Sequence, residues 1–445
     1  MSFAGAASPF AVNLAAISAA AAQALPGYKA LVCLFFYGGN DHTNTCIPYD
    51  QPSYDQYSAS RPSIAIPRDA TLAANATGVV ASQGGREFAF HPALTAFKTH
   101  WDAGRLAVVA NVGPLVVPTT KTQYQNRLVP LPPKLFSHND QQAVWQAYRP
   151  IGEGANIGWG GRIGDLLASN NSNPLFTCIS AGGNSVFLSG TNVLQYQVGS
   201  SGPSAISGIS GTIYGSQGAT ASTAYRSLIT GTSPNLFENE LGVVTSRSIT
   251  ANQQLSGALP PASTLPGGIP ANNSLASQLS VVARTIAART TLGSSRQVFL
   301  VSIGGFDNHD VLLSQHAQQL AQVNAAVGAF YSWLVQLGVQ NDVTLFTASD
   351  FGRTLTSNGD GSDHGWGSHH FVLGGSVVGR EVYGNFSPTV FGSSVDIGQG
   401  NLLPGLAVDQ YAATFARWLG VSDADMPLVL PNIVNFSPRY VSFLP

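Results

Sequence analysis

Five of the chain's nine histidines fall in three of four short segments, and each of the four carries aspartate. They are Gly38-Gly39-Asn40-Asp41-His42-Thr43-Asn44, Gly304-Gly305-Phe306-Asp307-Asn308-His309-Asp310, Ser349-Asp350-Phe351-Gly352-Arg353-Thr354, and the run from Asp360 through Asp363-His364 to His369-His370. Carboxylates and imidazoles brought to one place make a nitrogen/oxygen site suited to zinc, manganese, magnesium, calcium or iron. Taken singly, each residue also has a structural explanation. Asp41 can cap a turn with Asn44, and Asp307 and His309 can open the helix that follows. Asp350 can pair with Arg353, and His369-His370 can lie half-buried on a strand. Taken together, four such coincidences are less economical than one metal site. A fifth segment, Ser137-His138-Asn139-Asp140-Gln141, opens a predicted helix with Ser137 as N-cap and Asp140 or Gln141 as its capping partner. A hydroxyl there sits where amide dipoles favour an anion or a deprotonated nucleophile.

The elements that must position these residues are legible as apolar runs. Ala30–Phe36, Val298–Ile303 and Val343–Ala348 are continuous, largely β-branched or aromatic, and each stops at a ligand-rich turn. A weaker fourth is Leu106–Val112. Such runs read as strands covered on both faces. Between the second and third, Val311–Leu337 carries apolar residues at helical spacing, so strand, helix and strand make a βαβ unit and the class is α/β. In open sheets of this kind ligands gather at the carboxyl ends of the strands, where the chemistry-bearing segments fall. The stretch from about residue 190 to 280 is rich in Ser, Gly, Thr and Pro. It is expected to be an ordered cap or insertion, since Ala224–Leu241 and Leu275–Leu292 keep helix-like spacing.

Composition narrows the partners. Only 9% of residues are charged, against about 25% in an average soluble protein, and the net charge is −2 with no basic run. That argues against a nucleic-acid partner, because neutralising phosphates needs clustered cations. Three cysteines do not make a disulfide framework; a Cys46–Cys178 bridge stays open, and no CxxC spacing offers a thiolate zinc site. Residues 1–27 are Ala-rich with an AxA-like stretch before Lys29, which reads as a signal remnant lacking its basic region. No other stretch approaches the roughly 20 apolar residues of a membrane span. The expectation is a periplasmic or extracellular protein with a single α/β domain over 28–445.

The runs LVCLFFYGGNDHTNTCIPYD, SHNDQQAVW, GGFDNHD, SDFGRT and SDHGWGSHHFVLGG resemble a bacterial family of unknown function, domain-of-unknown-function family 1501. Its members are commonly exported by the twin-arginine route and described as sulfatase-like. The resemblance runs from Tyr28 onward and implies a doubly wound, mostly parallel sheet with helices on both faces, the alkaline-phosphatase-like core, holding one or two metal ions. By order along the chain it implies metal ligation by Asp41, Asp307, His309, Asp350 and His364, with His369 completing the set, and Ser137 as nucleophile. His138 is then expected as a supporting group or substrate contact. Two departures stand out: Phe351 occupies a position where many superfamily members have His, and the Asp307–His309 spacing is short. Cys46-Ile47-Pro48-Tyr49-Asp50 resembles the sulfatase motif Cys-x-Pro-x-Arg, but Asp50 replaces its arginine, so chemistry through a modified Cys46 is not expected.

The leading functional expectation is an exported metal-dependent hydrolase of phosphate or sulfate esters, on small molecules or polymers. Ser137 or a metal-activated water would attack, and Arg353 or Asn44 would stabilise the oxyanion. A non-enzymatic envelope scaffold that self-assembles or holds a partner protein, and a polysaccharide-active enzyme, are the alternatives.

Overall fold

The computed structural model describes residues 25–147, 154–209 and 218–445; the signal-like stretch up to residue 24 lies outside them. Lys29–Phe36 is the central strand of a large sheet and pairs in parallel with Arg296–Ile303 on one side and Val343–Ser349 on the other. The order across the sheet is Val382–Tyr383, Leu106–Gly113, Ser368–Leu373, Val343–Ser349, Lys29–Phe36, Arg296–Ile303, Cys178–Ser180 and Tyr196–Gln197, with Leu406–Ala407 also paired to Leu106–Gly113. Among these described strands only Ser368–Leu373 runs antiparallel to its neighbours. The strands expected from the apolar runs are all present, and the helix expected over Val311–Leu337 spans Leu312–Gln336.

Alternation along the central strand explains why its sequence is apolar throughout. Ala30, Val32, Leu34 and Phe36 join one core cluster, and Leu31, Cys33 and Phe35 join another, because successive side chains leave a strand on opposite faces. Helices cover both. Ser274–Ala287 and Leu312–Gln336 bury Leu279, Val282, Val323, Val327 and Phe330 on the first face. Trp159–Leu167 and Val408–Leu419 bury Ile163, Tyr411 and Phe415 on the second. The architecture is therefore doubly wound α/β, as expected.

The Ser/Gly-rich region contains the helices Gly218–Ile229 and Leu236–Ala258. The spacing read across Ala224–Leu241 runs over a break at Pro234, after which Asn235 restarts the helix by accepting from the amides of Phe237 and Glu238. Ser274–Ala287, part of which falls before residue 280, belongs to the main core. Cys33, Cys46 and Cys178 are all buried and free, so no Cys46–Cys178 bridge forms. Among the described residues no helix is long and apolar enough to cross a membrane.

Candidate metal centre

Three parallel strands deliver the site because they end at one level. Phe36 is in register with both Ile303 and Ser349, so the turns after them share one edge. Gly38 and Gly39 follow the central strand with φ of +115° and +79°, conformations open to glycine. A Cβ on Gly38 would stand 2.4 Å from the Asp307 amide nitrogen, and one on Gly39 would stand 2.5 Å from the Phe351 ring. That close approach lets Arg353 donate to the carbonyls of Gly38 at 2.7 Å and Gly39 at 3.0 Å. Arg353 also donates to the Ser362 carbonyl at 2.7 Å and to Oδ1 of Asp307. Burial alone would raise the Asp307 carboxyl; hydrogen bonding and charge from Arg353 hold it below the usual carboxylate range.

Three imidazoles surround Asp307. His309 Nε2 is 3.0 Å and His364 Nε2 3.3 Å from its Oδ1, and His138 Nε2 is 3.4 Å from its Oδ2. The Nε2 atoms of His309 and His364 are 3.0 Å apart. Donors about 2.0–2.1 Å from a tetrahedral zinc stand about 3.3 Å from one another, close to these separations. The donor atoms of His138, Asp307 and His364 all lie within 4.8 Å of one another.

Each ring is fixed through its other nitrogen. His364 Nδ1 is 2.7 Å from the Phe136 carbonyl, His138 Nδ1 is 2.7 Å from Asp350 Oδ2, and His309 Nδ1 is 3.2 Å from Asp363 Oδ1. A carbonyl or carboxylate only accepts, so in the neutral rings Nδ1 carries the hydrogen and Nε2 keeps its lone pair toward Asp307. Ligating histidines are held in this way by their outer partners. The Asp350 hydrogen bond is the main cause that raises the His138 pKa, whereas burial lowers that of His364. Buried His138 Nε2 and Asp350 Oδ1 have no hydrogen-bond partner, an arrangement costly without a ligand. The residues fit a metal ion.

The sequence-derived candidates divide accordingly. Asp307, His309 and His364 come together, and Asp350 stands behind His138 with its Oδ2 also accepting from Gln142 Nε2 at 2.8 Å and the Gly38 amide at 3.2 Å. Asp41 does not reach the cluster. It is buried, accepts from both terminal nitrogens of Arg61, and caps the short helix His42–Thr45. Asn44 is fully buried, with its amide donating to the Ile64 carbonyl at 2.7 Å and accepting from Tyr57 Oη at 2.8 Å, so its side chain is held away from the cluster by Ile64 and Tyr57. His369 accepts from the Asn111 amide at 2.9 Å and packs on His42 and Phe386. Burial holds its pKa well below the ordinary value. Arg353 is enclosed, with its hydrogen bonds directed to protein atoms. Ser137 immediately precedes the helix His138–Ala147, its carbonyl accepting from the Gln141 amide at 2.9 Å and its Oγ donating to Asp140 Oδ2 at 2.7 Å, so its hydroxyl is tied to a side chain and not to a backbone amide as the expected cap would be.

His138, expected as a supporting group, instead presents Nε2 to the cluster, and its signal was its place at the first turn of a helix that also begins with Ser137. Asp363 and the Phe136 carbonyl were missed as ring anchors. The register of a two-stranded hairpin, in which Arg353 pairs with His364, brings Asp363 beside His309, and nothing in the local sequence announces that pairing. Asp307 and His309 do not cap the following helix either. That role falls to Val311 in the left-handed region at φ +52°, a strained state for a β-branched residue. It is held by Asp360, which accepts from the amides of Val311 at 3.0 Å and Leu312 at 2.9 Å.

Fold and site together define an α/β protein with a candidate metal centre at the carboxyl edge of its sheet. Residues 247–423 match the model of the family "Protein of unknown function (DUF1501)". That span includes Asp307, His309, Asp350, Arg353 and His364. The search of curated proteins finds no match. Similar solved structures include the lipoteichoic acid synthase LtaP from Listeria monocytogenes, with 8% identity, 92% of this chain and 76% of that chain covered, and a TM-score of 0.36. Another is a mutant of the alkaline phosphatase PafA, with 10% identity, 75% and 64% covered, and a TM-score of 0.32. A third is the zinc complex of the C-terminal periplasmic domain of EcEptC from Escherichia coli, with 10% identity, 92% and 88% covered, and a TM-score of 0.32.

Proposed function

We propose that this chain is an exported metal-dependent hydrolase of phosphate or sulfate esters. The supporting observation is the convergence on Asp307 of three imidazole Nε2 atoms, each ring fixed through Nδ1. Three imidazoles and a carboxylate favour zinc or manganese over magnesium and calcium. A divalent ion held there supplies Lewis-acid polarisation of an ester oxygen.

The chain's own residues do the rest. Asp350, Asp363 and the Phe136 carbonyl orient the three rings, and Arg353 fixes Asp307. Ser137 lies in sequence between Phe136, which anchors His364, and His138, which faces Asp307. In this proposal its Oγ attacks the phosphorus or sulfur while the bond to the ester oxygen breaks and the alcohol leaves. Asp140, which already accepts its hydrogen bond, takes the Ser137 proton and passes it to the leaving oxygen, and water then displaces phosphate or sulfate from Ser137. Export is supported by the low charge and the Ala-rich start.

Elemental analysis of the purified protein tests the reading together with turnover of p-nitrophenyl phosphate and p-nitrophenyl sulfate. About one zinc or manganese per chain is expected, with turnover falling about 10³-fold or more in His364→Ala. Protein that stays metal-free after soaking in both ions overturns it. A second reading, an assembly protein, draws on the exposed Leu228, Leu236, Phe237 and Leu241 of the inserted helices. Concentration-dependent oligomers by light scattering, without turnover, would favour it.

A further inference from the structure

The helix Leu236–Ala258 carries one seam that is buried at one end and bare at the other. Phe237, Leu241, Val244, Ser248, Ala251 and Leu255 follow one another at alternating steps of four and three residues, the spacing that keeps one side of a helix facing a single partner. Ala251 and Leu255 are fully buried in the core cluster on the first face of the sheet. Toward the N-terminus the same seam runs off the body, where Phe237 is 84% and Leu241 65% exposed. Residues 236–248 amount to about 20 Å of helix. A helix draws most of its stability from packing its apolar face, and here that face is uncovered. The stretch is nevertheless built in advance. Asn235 caps it, Ser233 donates to Glu238 Oε2 at 2.6 Å, and a Cβ on Gly242 would stand 2.5 Å from the Gly231 carbonyl oxygen.

Two charges on one side of the seam say what covers it. Glu240 and Arg247 are both exposed, and neither has an ion-pair partner among the described residues. They stand two turns apart, about 10 Å along the axis, so they do not pair within one helix. Each directly precedes a seam residue, Leu241 or Ser248, and therefore lies on the same flank. When two such helices pack antiparallel, that flank meets its own counterpart, and Glu240 faces the partner's Arg247 twice over by symmetry. In this register Leu241 packs on the partner's Val244, and Phe237 packs on the partner's Ser248, large against small. A parallel pair sets Glu240 against the partner's Thr245 and Arg247 against the partner's Asn252, with no charge matched, and crowds the two bodies at one end. A lipid surface fits less well, because two glutamates, Glu238 and Glu240, flank the bare seam, where helices lying on anionic membranes carry Lys and Arg.

We propose that two copies of this chain pair through this helix, antiparallel about a twofold axis, to form a discrete dimer. The pairing goes beyond the hydrolase reading and does not depend on the metal centre. It also differs from an open assembly, because a self-complementary surface is fully occupied once two copies meet.

Sedimentation equilibrium on the full chain from about 1 to 100 µM tests it. A monomer–dimer equilibrium is expected, and Leu241→Asp should leave only monomer. Glu240→Arg and Arg247→Glu should each weaken the dimer about 10-fold or more, and the two combined should restore it to within about threefold of the parent. These positions are exposed, so the variant monomers should melt with the parent monomer. A parent that stays monomeric at the highest concentration overturns the proposal, and so does a dimer indifferent to Leu241→Asp. Charge variants whose effects do not cancel, or open-ended oligomers, overturn it as well. A monomeric chain that floats with phosphatidylglycerol vesicles would give the seam to a lipid surface instead. Turnover and metal content on the same sample read the hydrolase separately: a dimer without either leaves the pairing and removes the hydrolase, and a monomer with both does the reverse.

Discussion

The carbonyl of Phe136 sits 2.7 Å from Nδ1 of His364, joining residues 228 positions apart. Phe136 pays for this with φ of +73°, a left-handed conformation that costs a non-glycine residue about 1–3 kcal/mol. The strain is kept where it fixes the orientation of a ring at the centre. Phe136→Gly is therefore expected to relieve backbone strain while leaving the carbonyl in place. Metal affinity in Phe136→Gly should stay within about threefold of the parent, as read by zinc titration calorimetry. A large loss would show that the aromatic side chain, and not the carbonyl, positions His364.

Asp350 should act on the metal through His138. Asp350→Asn keeps the shape but loses the charge that fixes the Nδ1 hydrogen. It is expected to weaken zinc binding by roughly 10–100-fold. Competition with a chromogenic chelator reads this directly, and unchanged affinity would remove His138 from the ligand set.

Asp41 and Arg61 form a buried pair that does not touch the centre. Arg61→Leu leaves the Asp41 carboxylate buried without its partner and is expected to cost about 3–5 kcal/mol in denaturant unfolding. Arg61→Leu combined with Asp41→Asn should recover much of that. Zinc affinity of the double variant should match the parent, whereas a loss would return Asp41 to the centre.

Ser137→Ala is expected to lower turnover of p-nitrophenyl phosphate about 10³-fold, roughly 4 kcal/mol of barrier. Metal content should be unchanged, and the lost hydrogen bond to Asp140 should cost about 1 kcal/mol of stability. Full turnover in this variant would remove Ser137 as the nucleophile.

Acid should destabilise the fold well before the carboxylates titrate. Burial lowers His42 and His91 to about 4 and His316 and His370 to about 3. Their ordinary value is 6.5, so below it the unfolded chain takes up protons that the native state refuses. Stability is thus complete above about pH 6.5 and is lost as pH falls from there toward 3. Calorimetry from pH 7.5 to 4 should show a steadily falling melting temperature, and a flat profile would contradict the burial of these rings as neutral groups.

The sheet was legible because its core strands are largely apolar runs, and Leu312–Gln336 because its apolar residues recur at helical spacing. Asp307, His309 and His364 were legible because polar ligand types follow those strands at once. Asp41 looked equivalent by the same rule. Only Arg61, twenty residues away across a helix, decides that its charge is spent internally. Asn44 and His369 likewise misled because their buried partners, Tyr57 and Asn111, are distant in sequence. His138 was underread for the opposite reason: a helix start gave a sufficient local account of the segment, and its facing of Asp307 is tertiary.

The central position of Lys29–Phe36 sets an order on biosynthesis. This strand is made early, yet both of its hydrogen-bonded neighbours, Arg296–Ile303 and Val343–Ser349, are made only after most of the chain. Until then an all-apolar segment has two unpaired edges, and so few charges elsewhere give little protection against self-association. Contacts this distant slow folding and expose aggregation-prone intermediates, so the centre cannot assemble while the nascent chain is short. A ribosome-bound fragment ending before residue 296 should remain dependent on a holding chaperone.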